Sequence, residues 1–229
     1  LPAGQPLDSR RARGNPIPER IVPRVRHGAE LSARLEQLTT QVPAELGLGD
    51  DDDARVVLKF RAATRPSNGP LAKLRFTTLG EGDGWTYFVL STRESRAELA
   101  AVLADYAHLP DGLSKDVDWS HPKSWAQFVD RIEGIELYGP EDRADPTLTG
   151  LEYTPTALVD CLLWPAPNPA AGLTRLNGLI AAVADYARNA PSVHVVAVDS
   201  RPDRLLARIA VDRTLLDELL RSADVERVR

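Results

Sequence analysis

The sequence contains no methionine and a single cysteine, Cys161, among its 229 residues. One cysteine excludes an internal disulfide, and with it the class of small secreted domains that several disulfides stabilise. No apolar stretch approaches the roughly 20 residues that a membrane-spanning helix needs, and no signal-peptide core is visible. We therefore expect a cytoplasmic protein with no membrane partner. Since the sequence begins at Leu1 without an initiating methionine, we also expect a piece of a longer polypeptide.

Motifs for catalysis are also lacking. There is no Gly-x-Ser-x-Gly turn of the kind that presents a nucleophilic serine. The four histidines have no recognisable motif around them: His27, His108, His121 and His194. His194 alternates with Val193 and Val195, which favours a position on a sheet face over a role as a catalytic base. His108 falls at a predicted helix end and is interpreted as a cap near the helix dipole.

Ligand-binding motifs are equally scarce. Isolated histidines and one cysteine give no cluster at metal-ligand spacing, and Cys161 sits among apolar residues, which predicts a buried, inert thiol. Gly47-Leu48-Gly49 leads into four aspartates that would repel a phosphate group. The Asp50–Asp53 run also lacks the alternation and the glycine of a calcium loop, so we interpret it as a solvated loop. We predict no catalytic, cofactor-binding or metal-binding residue in this chain.

The first 27 residues are rich in proline and arginine and have no hydrophobic period. They predict an extended basic arm that is either solvated or laid on the rest of the protein or on a partner. The arm contains no aromatic residue on which a base could stack. The whole chain carries a net charge of −5. We therefore do not expect a nucleic-acid partner.

Residues 28–139 have the pattern of an N-terminal α+β domain. Apolar spacing predicts a helix over 28–42 that ends at Pro43, and alternation predicts strands. Ser91-x-x-Glu94 resembles a capping box that opens a helix, and Gly134 is predicted to end the next one. The predicted strands are 55–61, 74–79, 85–90 and 135–138, with a hairpin turn over 80–84 and helices over 91–106 and 122–133.

Residues 140–155 are rich in proline and acidic residues and predict a linker. The remaining segment, 156–229, reads strand–helix–strand–strand–helix–strand, with Asp212 as the N-cap of its second helix. This order is that of a ferredoxin-like αβ plait, and the N-terminal domain has the same plan with its first helix replaced by a loop over 64–73. We predict an α+β chain with two such plaits in tandem, the first irregular. Right-handed crossovers place the helices of each on one side of its sheet.

Several segments resemble the N-terminal region of bacterial subtilisin-like serine peptidases, including the peptidase of two-gene ATPase–protease anti-phage systems. The similarity spans roughly residues 24–229, and the matching segments are patterns of helices and strands. They are His27-Gly28-Ala29-Glu30-Leu31, Leu35-Glu36-Gln37-Leu38, the strand Arg55–Phe60, the helix Glu98–Tyr106, the segment Trp125–Leu137, and the module 156–229, which looks like a subtilisin prodomain. The replacement of the first helix by Pro66–Pro70 departs from that pattern.

The resemblance implies a non-catalytic, prodomain-like region that assists the folding of a serine endopeptidase and inhibits its active site. In that family the C-terminal tail of the prodomain covers the active site, and here the tail would be Val225, Glu226, Arg227, Val228 and Arg229. Arg229 is then either a site of self-cleavage or an arbitrary boundary. The implied partners are a subtilisin-like catalytic domain, in cis or after cleavage, and an AAA-type ATPase that docks on residues 28–139.

An alternative of a different class stays open. Paired αβ plaits are also suited to sensing a small ligand between their sheets or to binding another protein. On this interpretation the chain is a regulatory module with no link to a peptidase. Ligand-induced thermal stabilisation of the isolated chain would distinguish this hypothesis from the first.

Overall fold

Two four-stranded antiparallel sheets, each with its own helices, make up the computed structural model. It describes residues 22–45, 55–64, 69–110, 123–148, 155–166, 168–201 and 204–229. The helices are α1 Arg24–Glu45, α2 Gly69–Lys73, α3 Arg93–Ala107, α4 Lys123–Val129, α5 Pro140–Arg143, α6 Pro169–Ala187 and α7 Arg213–Arg221. The strands are β1 Val56–Ala62, β2 Thr77–Gly82, β3 Thr86–Ser91, β4 Ile132–Leu137, β5 Ala157–Leu163, β6 His194–Arg201, β7 Arg204–Val211 and β8 Val225–Val228.

Both sheets have the same strand order. In the N-terminal unit (residues 24–137) the order is β2-β3-β1-β4, and in the C-terminal unit (residues 157–228) it is β6-β7-β5-β8. All neighbouring strands are antiparallel. The strand order places the first and third strands of each unit in the centre of its sheet. The α+β class predicted from the sequence is confirmed.

The core of the N-terminal unit lies on one face of its sheet. Leu58 and Phe60 of β1 point to this face because side chains alternate along a strand, and α1 covers them with a stripe at helical spacing, Leu31, Leu35 and Leu38. All five side chains are buried. The apolar periods read from the sequence therefore mark the correct faces of both elements.

Helix α1 begins earlier than the sequence predicts, at Arg24 rather than Gly28, and its backbone continues past Pro43 to Glu45. Residues 24–27, the last of the predicted arm, therefore belong to this helix. The reason is tertiary, since the Arg24 guanidinium forms a two-pronged ion pair with Asp130, with Nε–Oδ1 3.1 Å and Nη2–Oδ2 2.8 Å. Both side chains are largely buried. The rest of the arm lies outside the described residues.

The start of α3 corrects the predicted capping box. Thr92, not Ser91, is the N-cap: its hydroxyl accepts from the Ser95 amide, and the Ser95 hydroxyl accepts from the Thr92 amide. Ser91 remains the last residue of β3 and donates its hydroxyl to the Val56 carbonyl oxygen at 3.0 Å. The pairing of β3 with β1 extends one residue further than local capping signals suggest.

Strand β4 takes residues that the sequence assigns to a helix. The helix ends at Val129 rather than at residue 133, and Ile132 and Gly134 lie in β4. Gly134 pairs with Arg61 of β1, and a Cβ at this glycine would lie 3.3 Å from Arg61 Nη2. The glycine therefore permits a close crossing within the sheet rather than ending a helix.

Two other boundaries of the N-terminal unit shift. Strand β2 begins at Thr77 instead of Leu74, because Leu74 and Phe76 turn into the core before the strand starts. The loop predicted over 64–73 contains the single-turn helix α2, Gly69–Lys73. The connection from β1 to β2 therefore contains one short helix shortly before β2.

The C-terminal unit follows its predicted order closely. Asp212 is the N-cap of α7, and its carboxylate accepts from the Leu215 amide at 2.9 Å. Helix α6 begins at Pro169, because Asn168 caps it by accepting from the Ala171 amide. Helices α6 and α7 pack on the face that carries Val159 and Cys161.

The segment between the units is ordered where the sequence predicts a linker. Residues 140–148 contain helix α5 and a 3-10 turn, Pro146–Leu148, while residues 149–154 lie outside the described part. Next to this segment, three aromatic rings meet at the junction of the two units. Phe88, Tyr138 and Trp164 have ring centroids 5.1 to 5.4 Å apart.

Arg143, at the end of α5, is the central contact of the junction. Its side chain is only 1% exposed and donates to three backbone carbonyl oxygens: Tyr138 at 2.6 Å, Val225 at 2.9 Å and Leu220 at 3.3 Å. The guanidinium also lies 5.0 Å from the Tyr138 ring centroid. Burial lowers the Arg143 pKa to about 10. The carbonyl of Leu220 belongs to the last turn of α7, where a cation is favourable.

Replacing Arg143 with methionine should destabilise the chain strongly. The Arg143→Met change keeps most of the side-chain volume but leaves three buried carbonyl groups without their donor, and we expect a loss of about 3–5 kcal/mol in the free energy of unfolding. Urea denaturation followed by circular dichroism measures it. The matched control is Arg188→Met, since Arg188 is exposed and pairs only with Asp185; its effect should be about 0.5 kcal/mol or less. Similar losses for both variants would contradict this role.

Candidate functional site: an open sheet face

The face of the C-terminal sheet opposite α6 and α7 carries cross-strand rows of side chains, most of them solvent-accessible, with Leu206 buried among them at 6% exposure. Strand β5 alternates strictly: Val159, Cys161 and Leu163 are buried in the helix-covered core. Leu158, Asp160 and Leu162 therefore point to the other face. Leu158 is 59% exposed, although a leucine in a central strand is usually buried. We call this surface the open face.

The strand register arranges the open face in three rows, because residues directly opposite each other point to the same side. Apolar side chains, an ion pair and polar side chains thus lie next to one another on this face. The rows are His194–Ala210–Leu158, then Ala197–Arg208–Asp160, then Asp199–Leu206–Leu162. Val196, the extra residue where the register shifts between Val195 and Ala197, is half exposed at the β6 edge.

A bidentate ion pair occupies the centre of the open face. Arg208 donates from Nε to Asp160 Oδ1 at 2.6 Å and from Nη2 to Oδ2 at 2.9 Å. The hydrogen bonds from Arg208 hold the Asp160 pKa below its usual value, and the same contact raises the Arg208 pKa. Arg229 Nε lies 4.0 Å from Asp160 Oδ2. The pair fixes both side chains in one orientation and gives the face a defined pattern of charge.

The five residues predicted as an active-site-covering tail, Val225–Arg229, lie in and just after β8. Their backbone continues the sheet: Arg229 exchanges hydrogen bonds with Asp160 of β5, with N···O distances of 2.8 and 3.1 Å. On the other edge, Tyr138 donates its hydroxyl to the Glu226 carbonyl oxygen at 3.0 Å and the Asp145 amide donates to the Val228 carbonyl oxygen at 2.9 Å. In this structure the segment is an integrated strand, and its covering role stays a prediction.

The remaining candidates occupy structural positions. Burial raises the Cys161 pKa to about 12, so the group is a thiol at neutral pH and not a nucleophile. His194 is exposed at the start of β6, His108 is the C-cap of α3, and His27 lies 3.2 Å from the Val129 carbonyl oxygen. His121 and Asp50–Asp53 lie outside the described residues. Within the described ranges, no group of three or more potential metal ligands occurs.

The sequence reasoning placed the helices on one side of each sheet, which leaves the other side open, but it did not identify the residues of the open face. The alternation of Leu158, Asp160 and Leu162 with buried residues was a usable signal, because it shows that one side of β5 is only partly apolar. The pairing of Asp160 with Arg208 has no such signal, since 48 positions separate the two residues. It follows only from the register of β5 against β7.

Comparisons of the sequence and structure with known protein families, with curated proteins and with solved structures give no match. Among the described residues, no helix is both long and apolar enough to cross a bilayer. The candidate site therefore depends on its own geometry.

The depressed Asp160 pKa gives a pH prediction of defined sign. Its ion pair contributes stability that is present above the unfolded-state value of about 3.9 and is lost as the pH falls through the lower folded-state value. Arg208→Ala should return the Asp160 pKa toward about 3.9, which carboxyl-carbon NMR titration measures. Arg213→Ala, which removes an exposed arginine that pairs with Asp217 on α7, is the control and should leave the Asp160 titration unchanged. An unchanged Asp160 pKa in Arg208→Ala would show that the pair does not cause the shift.

Proposed function

We propose that this chain is the non-catalytic, prodomain-like N-terminal region of a subtilisin-like serine peptidase, which assists folding of the catalytic domain and inhibits it. The observation that supports this best is the open face, which lies beside the strand that leads to Arg229. A sheet face with a protruding leucine and a fixed ion pair is suited to pack on the helices of a partner domain. The chain itself contributes no catalytic group in this proposal.

We further propose that each unit is a ferredoxin-like αβ plait, the usual fold of such prodomains. The support is the strand order, in which the first and third strands are central and both helices of the C-terminal unit cover one face. The N-terminal unit departs from a regular plait. The described part of its first crossover contains the short helix α2, and α1, which precedes β1, packs against α3 in the core.

Leu158 is the proposed anchor of the interface. Interfaces depend on a few side chains that become fully desolvated at the centre of the contact, surrounded by residues that contribute less. Burying an exposed leucine contributes roughly 1.5–3 kcal/mol, which corresponds to about tenfold to a hundredfold in affinity. The Asp160–Arg208 pair beside it would set the orientation of the partner, because misplaced charges there would remain unpaired.

Val225–Arg229 is the segment that we propose to enter the substrate groove, where an extended peptide can add as a strand. In the structure its backbone is engaged on both edges, by β5 and by Tyr138, Arg143 and Asp145 of the connecting segment. Entry into a groove therefore requires that part of this segment leave the sheet. These contacts would set the free-energy cost of that release. Because Tyr138 belongs to residues 28–139, a partner such as an ATPase docked on that region could alter this cost.

Inhibition of the catalytic domain tests the proposal. The subtilisin-type domain proposed to be encoded with this chain is produced separately, and hydrolysis of a chromogenic peptide is followed as the chain is titrated in. We expect inhibition that weakens about tenfold or more in Leu158→Glu, because the charge would be buried in the contact. Leu173→Glu is the matched control: Leu173 is 46% exposed on α6, away from the open face.

Three results are decisive. Wild-type and Leu173→Glu chains that inhibit alike, with Leu158→Glu weaker, support the proposed interface. Equal weakening by both glutamate variants would show that the open face is not the contact. Full peptidase activity at saturating chain, together with no complex in size-exclusion chromatography, would rule out the inhibitor role.

A further inference from the structure

A groove of about 650 Å³ lies on the helix side of the C-terminal unit, at its junction with the N-terminal unit. It runs between α6 and the turn that leads from α7 into β8, and Arg55, the residue before β1 of the N-terminal unit, lines it too. A volume of this size is within the range of small-molecule sites, which often lie between domains. The groove is separate from the open face, since the sheet lies between them.

The wall and floor of the groove are apolar. Helix α6 presents small residues to it, Ala171, Gly178 and Ala182, because these positions recur at helical spacing on one side. A Cβ placed on Gly178 would meet no atom within 4 Å, so the space beside this glycine is open. Leu163 and Val225 lie below the groove, and their side chains are almost fully buried. An apolar chain or ring fits such a surface.

One end of the groove is charged. Arg175 of α6 is held in place: its Nη1 donates to the Trp164 carbonyl oxygen at 3.0 Å, and its Nε lies 3.3 Å from Asp224 Oδ1. Arg55 Nη2 lies 3.9 Å from Asp224 Oδ2, and the Arg55 side chain is 54% exposed. Among the residues that the structure describes, the charged ones lining the groove are therefore two arginines and one aspartate, an excess of one positive charge.

We propose that this groove binds a small monocarboxylate with an apolar chain. The carboxylate would pair with Arg55, whose planar guanidinium donates two parallel hydrogen bonds to such a group. The chain would lie along Gly178 over Leu163 and Val225. Because Arg55 belongs to the N-terminal unit and the rest of the groove to the C-terminal unit, the bound acid would connect the two units. The site goes beyond the proposed inhibitory function and does not depend on it.

Octanoate is the probe, and octanamide is its neutral counterpart of the same shape. Isothermal titration calorimetry of the full chain should show octanoate binding about tenfold or more tighter than octanamide, since a charge-assisted contact contributes that factor. Arg55→Ala should remove this difference by weakening octanoate alone. These two results separate the charged end of the site from its apolar groove.

A groove-filling variant tests the location. Gly178→Leu places its side chain in the open space and should abolish binding of both probes, while the fold is kept because leucine favours a helix more than glycine does. Ala184→Leu is the control on the same helix, at an exposed position that does not line the groove, and should bind octanoate as the wild type does. Thermal melting of both variants confirms that they are folded.

The proposal fails on any of three outcomes. No binding of octanoate by the wild-type chain at millimolar concentration excludes the site. Equal affinity for octanoate and octanamide excludes recognition of the carboxylate. Unchanged binding in a folded Gly178→Leu variant places the ligand elsewhere. None of these outcomes bears on inhibition of the peptidase, which is tested by Leu158→Glu.

Discussion

The relative position of the two units depends on one buried cation. Taking a guanidinium out of water is costly unless its donors are satisfied, and Arg143 meets that condition with the carbonyl oxygens of Tyr138, Leu220 and Val225. These oxygens come from the end of the N-terminal sheet, from α7 and from β8. A single side chain thereby joins the end of the N-terminal sheet to two elements near the end of the chain, about 80 positions away. The aromatic contact of Phe88, Tyr138 and Trp164 completes the junction.

The two proposed binding surfaces share the C-terminal sheet but lie on its opposite sides. On one side, Leu158 and the Asp160–Arg208 pair form the open face; on the other, α6 leaves a groove above Leu163 and Val225. Strand β8 borders both, and the connecting segment holds it through Arg143. A structural change at the junction would therefore alter both surfaces. Such a change would couple the binding of a partner or a ligand to the proposed inhibition.

Local signals in the sequence predicted most of the C-terminal unit. The cap at Asp212 needs only neighbours a few residues away, and the structure has it. The failures occur where distant contacts override local ones: Gly134 lies in a strand because it pairs with Arg61, and the proline-rich, acidic segment around Arg143 is ordered by β8. The open face could be inferred only in part, since its rows require the register of three strands.

The single cysteine of the chain can report openings of the C-terminal core. Cys161 lies in the central strand β5, opposite Ala207 of β7 on one side and Val228 of β8 on the other. It is fully buried on the face that α6 and α7 cover, so a thiol reagent can reach it only after part of this core opens. The rate at which this one sulfur reacts therefore measures how often the core around β5 opens, including any opening that releases β8, without an added label.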